Sequence, residues 1–133
     1  MLKAVPRSME SLAILVDFVR EFLRAENLSE ETAFDIDLVL EELFTNLVRH
    51  GRGEGDIEVD LSRAPGEVRI RLLAAEPSPF DPTAAPRVNA NLPIEQRRAG
   101  GLGIHFIRQL CSTFRYEWTD GVGSTLVVMG VNE

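Results

Sequence analysis

The chain has 133 residues, of which 44% are hydrophobic and 26% charged, enough to close one hydrophobic core as a single domain over residues 1–133. A formal net charge of -7 with no basic cluster argues against direct nucleic-acid binding, which needs a basic field to displace phosphate counterions. No apolar run approaches the roughly 20 residues that cross a bilayer, and Glu10 and Asp17 interrupt the apolar start that a signal peptide would need, so the expectation is a cytoplasmic protein with no membrane partner.

In chain order, a short strand is expected around Lys3 to Pro6. Over residues 9–25 the positions Leu12, Ile14, Leu15, Phe18, Val19, Phe22 and Leu23 recur mostly at three- and four-residue intervals, one stripe of an amphipathic helix. Ser29 then offers an N-cap hydroxyl, and Glu30 and Glu31 place negative charge at the positive dipole end of a second helix. That helix runs to Gly51, which suits the left-handed residue just past a helix end, with "GRGEGD" as the turn out. The period then changes to two. Ile57, Val59 and Leu61, and beyond "APGE" Val68, Ile70 and Leu72, predict an antiparallel hairpin with one buried face.

Regularity stops over 75–100, where five of the seven prolines (Pro77, Pro79, Pro82, Pro86 and Pro93) fall; a stretch of this length is a functional lid or a disordered segment. "GLGIHFIRQLC" restores helical periodicity from about Gly103, and "TFRYEW" and "STLVVMGV" read as two last strands joined by "TDGVG". Helix, helix, hairpin, long loop, helix, hairpin predicts an α+β fold. It is a two-layer α/β sandwich whose antiparallel or mixed sheet is covered on one face by about three helices.

On a helical projection at ~100° per residue, Ile36, Leu40, Leu43 and Leu47 centre the buried stripe of the second helix. Glu42, Asn46 and His50 form a column beside it, while Glu41 and Thr45 project toward solvent. A carboxylate at the rim of a core is partly desolvated, and a group four residues on can share its ligand. This suits general-base work or the holding of a hard cation through the Asn oxygen; a solvated border charge fits the same pattern. In "AGGLGIHFIRQL", Gly100, Gly101 and Gly103 leave the backbone open to close approach, and the helix behind them aims free N–H groups at an anion such as phosphate. No Walker lysine follows, so a P-loop is not supported.

Taken together and in this order, "EELFTNLVRHG", "PFDP" and "GGLGIHFIRQL" resemble the histidine-kinase-like (GHKL) ATPase domains of bacterial anti-sigma factors, the serine/threonine kinases of partner-switching modules. The resemblance implies that fold for nearly the whole chain. It also implies that Glu42 is the catalytic base toward a serine or threonine of a protein substrate, and that Asn46 holds the magnesium bridging the ATP phosphates. His50, Phe80, Asp81, Gly100, Gly101, Leu102 and Gly103, with Gly123, Ser124 and Thr125 of the closing "DGVGSTLVV", would surround ATP. The proline-rich segment would be the lid. Members sequester a sigma factor from RNA polymerase, phosphorylate a small STAS-type anti-anti-sigma protein, and are usually homodimers.

The chain departs from that family at the box reading Asp-x-Gly-x-Pro-Phe-Asp, whose first aspartate accepts from the adenine amino group. Pro79, Phe80 and Asp81 align, which puts Ala75 at the aspartate and Pro77 at the glycine. The missing acceptor would cost about 1 to 3 kcal/mol, unless a bulge brings the neighbouring Glu76 into place. Two readings stay open: an ATP-dependent protein kinase with an altered adenine pocket, and a kinase-fold binding module that has lost or weakened ATP binding. Arg97 and Arg98 would reach phosphate from the lid or remain solvated loop charges. His105, Cys111 and Trp118 read as packing residues, the last on one face with Phe114 and Tyr116.

Overall fold

The computed structural model describes residues 1–84 and 101–131. Pro86, Pro93, Arg97, Arg98 and Gly100 of the expected lid lie outside the described residues. The elements run β1 (Leu2–Val5), α1 (Ser11–Glu26), α2 (Glu30–His50), β2 (Ile57–Ala64), β3 (Glu67–Ala75), a 3-10 turn (Pro82–Ala84), α3 (Gly101–Leu110), β4 (Cys111–Thr119) and β5 (Val122–Gly130). The strands form one sheet in the order β1-β2-β3-β5-β4, and every described pairing is antiparallel. This is the expected α+β sandwich in its fully antiparallel form. Among the described residues no helix is long and apolar enough to cross a membrane.

Period-two alternation gives the sheet two different faces. Val68, Ile70, Leu72 and Ala74 of β3 are buried, as are Val59 and Leu61 of β2 and Val127 and Met129 of β5. They meet Leu15, Phe18 and Phe22 of α1, Ile36, Leu40 and Phe44 of α2, and Ile104 and Ile107 of α3 in one core cluster. Each of these side chains except Ala74 contributes about 1.5–3 kcal/mol by leaving water. The opposite face carries Arg69, Arg71 and Leu73, with Leu73 paired across to Ser124 and Arg71 to Leu126.

Local chemistry explains most of the boundaries. Ser29, in extended conformation, accepts from the Thr32 N–H at 3.3 Å, and Glu30 and Glu31 occupy the first turn of α2. The end of α1 is a left-handed Asn27 at φ 54°, a conformation asparagine tolerates better than most residues. Pro65 and Gly66, the latter at φ 72°, join β2 to β3. Asp120 and Gly121, at φ 50° and 81°, form the doubly left-handed turn that matches the twist of the β4–β5 hairpin.

Three local expectations are corrected. Gly51 is extended, at φ -68° and ψ 157°, so helix termination does not require its glycine; a Cβ there would overlap the Arg7 guanidinium and the Glu76 carboxylate. The third helix begins at Gly101, ahead of Gly103, and ends at Leu110, with Cys111 already in β4. Trp118 shares its face with Phe114 and Tyr116 by register, but at the sheet's end it is 37% exposed.

Candidate functional site

The rim of α2 is built as one turn of helix makes it. Glu42 and Asn46 lie four residues apart, and the Asn46 Nδ2 donates to Glu42 Oε1 at 3.2 Å. Burial pushes the Glu42 carboxyl above its ordinary value; the Asn46 bond opposes this, neighbouring Glu41 adds to it, and Arg49 opposes it. Gly103 of α3 lies directly against the carboxyl, where an added Cβ would overlap it. Glycine here lets a carboxylate on one helix touch the backbone of the next; a larger residue would displace the Glu42 side chain. A groove of ≈ 390 Å³ opens beside the pair, lined by Glu42, Thr45 and Arg49 of α2 and by Gly103, Phe106 and Leu110 of α3. Thr45, expected in solvent, is therefore half-buried in this groove. Glu41 is exposed and borders it. His50 is exposed at the last position of α2 and makes no part of the groove wall.

A second cluster forms where β3 leaves the sheet. The alternation that buries Val68, Ile70, Leu72 and Ala74 continues in phase to Glu76, which is 3% exposed, while Ala75 is exposed on the other face. The acidic group on the helix-facing side is thus Glu76, with no bulge required. The Ala75 position, which the motif alignment gives to the family's aspartate, thus faces away from the helices. Every polar atom of Glu76 is engaged within the chain. Its carboxylate pairs with Arg7 and accepts from the N–H groups of Arg52 at 2.9 Å and Gly53 at 3.0 Å. Its own N–H donates to Gly121 O at 2.9 Å, and its carbonyl accepts from Trp118 Nε1 at 3.0 Å. Arg7 also donates to Ala75 O at 3.0 Å and to Leu47 O at 3.2 Å. Gly53 is a glycine because a Cβ would run into the Ala75 backbone.

The other expected residues are distributed between and around these clusters. Phe80 packs against the core, and its N–H donates to Tyr116 Oη at 2.9 Å. Gly123 underlies that ring, with room for a Cβ only 2.7 Å from Tyr116 Oη. Thr125 is buried on the helix-facing side. Ser124 turns to the open face, where Arg71 Nη1 donates to it at 2.9 Å, so it does not share a pocket with its two neighbours. Asp81 accepts from Thr83 N–H at 2.8 Å and caps the 3-10 turn. Gly101 opens α3, Leu102 is 37% exposed, and Gly100 lies outside the described residues. Sequence reasoning missed Arg7, Arg52 and Gly53, for which no local pattern gives a signal. It also missed the groove roles of Thr45 and Arg49, which their spacing of three and seven from Glu42 could have shown.

An antiparallel sheet thus lies under three helices, with a carboxylate–amide pair on one helix facing a glycine near the start of another. The chain matches the model of the histidine kinase-like ATPase domain over residues 5–130 and belongs to that family. Among solved structures it is similar to the RsbU and RsbW domains of Rv1364c from Mycobacterium tuberculosis, with a TM-score of 0.68 and 16% identity over 100% of this chain and 32% of that one. It is also similar to the Acinetobacter baumannii histidine kinase AdeS, with a TM-score of 0.57 and 13% identity over 100% of this chain and 68% of that one. The chain thus spans about a third of the first neighbour, and at these identities the likeness establishes the fold. No curated protein matches it by sequence.

ATP binding is the general property of this family, and the two ends of the site fit a nucleotide unequally. At the α2 rim, donation by Nδ2 leaves the Asn46 amide oxygen as a ligand suited to magnesium, beside a glycine-bearing helix start suited to phosphate. At the end of β3 the donors of Arg7, Arg52, Gly53 and Trp118 already fill Glu76, and Ala75 has no side-chain acceptor. The phosphate end fits; the base end offers no unengaged acceptor on these two residues.

Proposed function

We propose that the protein is the anti-sigma component of a partner-switching module, a magnesium- and ATP-dependent serine/threonine protein kinase acting on a STAS-type anti-anti-sigma protein. By the same reading it sequesters a sigma factor and works as a cytoplasmic homodimer. The observation that carries the proposal is the half-buried Glu42–Asn46 pair resting on Gly103. Glu42 takes the proton from the substrate hydroxyl; its upward-shifted carboxyl is the better matched to that transfer. Asn46 restrains the base through its Nδ2, and its amide oxygen would be the residue's ligand for magnesium. ATP with magnesium supplies the transferable phosphoryl group and its charge neutralisation. The family membership and the RsbW-containing neighbour support this reading.

One observation favours the second reading, a non-catalytic binding module: the internal saturation of Glu76 at the base end. Calorimetric titration with ATP and magnesium separates the two, followed by an assay of phosphoryl transfer to a candidate STAS-type protein. Binding lost in Asn46→Ala, with transfer lost and binding kept in Glu42→Gln, is the result expected of the kinase. A native protein that binds its partner and not ATP is the binding module. Ala75→Asp restores nothing in either case, because its carboxylate emerges on the open face.

A further inference from the structure

The charge of this protein is not spread over its surface. Between Glu10 and Glu41 the chain carries nine carboxylates and two arginines, so this segment alone accounts for the net charge of -7, and the remaining residues hold twelve of each sign. One of the two arginines, Arg20, is bound to Asp37 at 3.1 Å. The crowding is visible in Asp35, whose carboxyl is raised by burial and then by the charge of Glu31.

This acidic segment surrounds apolar surface. Phe34, Leu38, Glu41 and Thr45 follow one another at four, three and four residues and form an outer ridge of α2. Two grooves flank it and share Glu41. One, of ≈ 370 Å³, lies against α1 and is lined by Leu12, Ala13, Val16, Asp37 and Leu40; the other is the ≈ 390 Å³ groove against α3. Phe34 is 64% exposed, Phe106 47% and Val16 44%. Large apolar side chains set in an acidic surface, with a groove on each side, are the complement of a helix that is apolar on one face and basic at its borders. A second copy of this chain would bring the same carboxylates against themselves, so self-association through this face is opposed.

We propose that the outer face of α1, α2 and α3 is a docking surface for a basic amphipathic helix of a protein partner, laid along the α2 ridge with apolar anchors in the two grooves. The surface stands without nucleotide chemistry, although its second groove ends at Glu42 and would hold a docked chain beside it.

The test uses the full chain and an 18-residue fluorescent leucine–lysine helical peptide, read by anisotropy, with a leucine–glutamate peptide of the same pattern as control. The basic peptide is expected to bind and the acidic one not. Glu41→Lys and Phe34→Ser are each expected to weaken binding at least tenfold. Glu58→Lys, the same charge change on an exposed strand position, should alter it less than twofold. Three results would overturn the proposal: no binding of the basic peptide, equal loss in Glu41→Lys and Glu58→Lys, or no loss in Phe34→Ser. Sedimentation of the same proteins decides the rival occupant, since a dimer that Phe34→Ser or Glu41→Lys converts to monomer makes this face a self-interface and also refutes it.

Discussion

Replacing Arg7 by methionine isolates the buried ion pair on which the β3 exit depends. The side chains are 10% and 2% exposed for Arg7 and Glu76, so neither partner can turn to water when the other is removed. The variant loses the charge-assisted bond and both bonds to the Leu47 and Ala75 carbonyls, and it strands a carboxylate that keeps only the N–H groups of Arg52 and Gly53. Breaking a buried pair from one side costs about 3–5 kcal/mol, and the two surviving donors put the expected loss near the middle of that range, about 4 kcal/mol. For a domain of this size that is a fall in Tm of roughly 10–15 °C. Urea denaturation with a constant m value is the assay, and Arg7→Met with Glu76→Gln together should cost clearly less than the two single losses added. A loss below about 1 kcal/mol, the worth of an exposed salt bridge, would mean that water reaches Glu76 and that the β3 exit is held in some other way.

Glu42→Gln tests the sign of burial at the rim. Because burial raises the folded carboxyl above its unfolded value, the folded state takes up the proton more readily, and stability falls as pH rises through the window between the two values. The variant should be the more stable protein at neutral pH, with the difference closing as pH drops to the ordinary carboxylate range; urea midpoints across pH measure this, and a variant less stable at pH 7 contradicts it. Gly103→Ala should separate stability from chemistry, since alanine favours a helix by up to about 1 kcal/mol while its methyl displaces the Glu42 carboxyl. Unchanged or higher Tm with at least tenfold lower phosphoryl transfer is expected, and unchanged transfer would remove Glu42 from the site. Gly53→Ala pushes a methyl into the Ala75 backbone and should cost about 3 kcal/mol; Gly55→Ala, in open space at φ 88°, should cost only about 1–2 kcal/mol from its left-handed backbone. Equal losses in thermal melts would show that close approach at residue 53 is not the constraint.

Elements whose identity is set by local physics were legible in the sequence. The Ser29 cap, the stripe through Ile36, Leu40 and Leu43, both hairpins and the Asp120–Gly121 turn follow from capping, period and turn chemistry, and each is where those rules put it. The Glu42–Asn46 pair was legible for the same reason, as a consequence of four-residue spacing. Long-range contacts were not. Nothing near Arg7 in the chain announces Glu76, and Gly51 and Gly53 were read as turn glycines because their real constraint comes from a guanidinium, a carboxylate and a backbone 20 or more residues away. The burial of Glu76 was underweighted because motif alignment was preferred to the phase of Val68, Ile70, Leu72 and Ala74, which carries on to Glu76. Ser124 shows the same rule from the other side: in a strand, three consecutive residues cannot line one pocket.

The strand order has a consequence for synthesis. β5 is the last strand of the domain in chain order, yet it sits inside the sheet, between β3 and β4. Until it emerges, β4 has no neighbour among the described strands, and β3 presents an open edge with its full row of unpaired amide and carbonyl groups. A nascent chain that has delivered all three helices and four strands therefore cannot close its core. It must wait, with an adhesive edge exposed, for the last dozen residues of the domain. A nonsense codon anywhere before Val122 would leave a chain in that state permanently, and its expected fate is aggregation or proteolysis, with no partly active fragment.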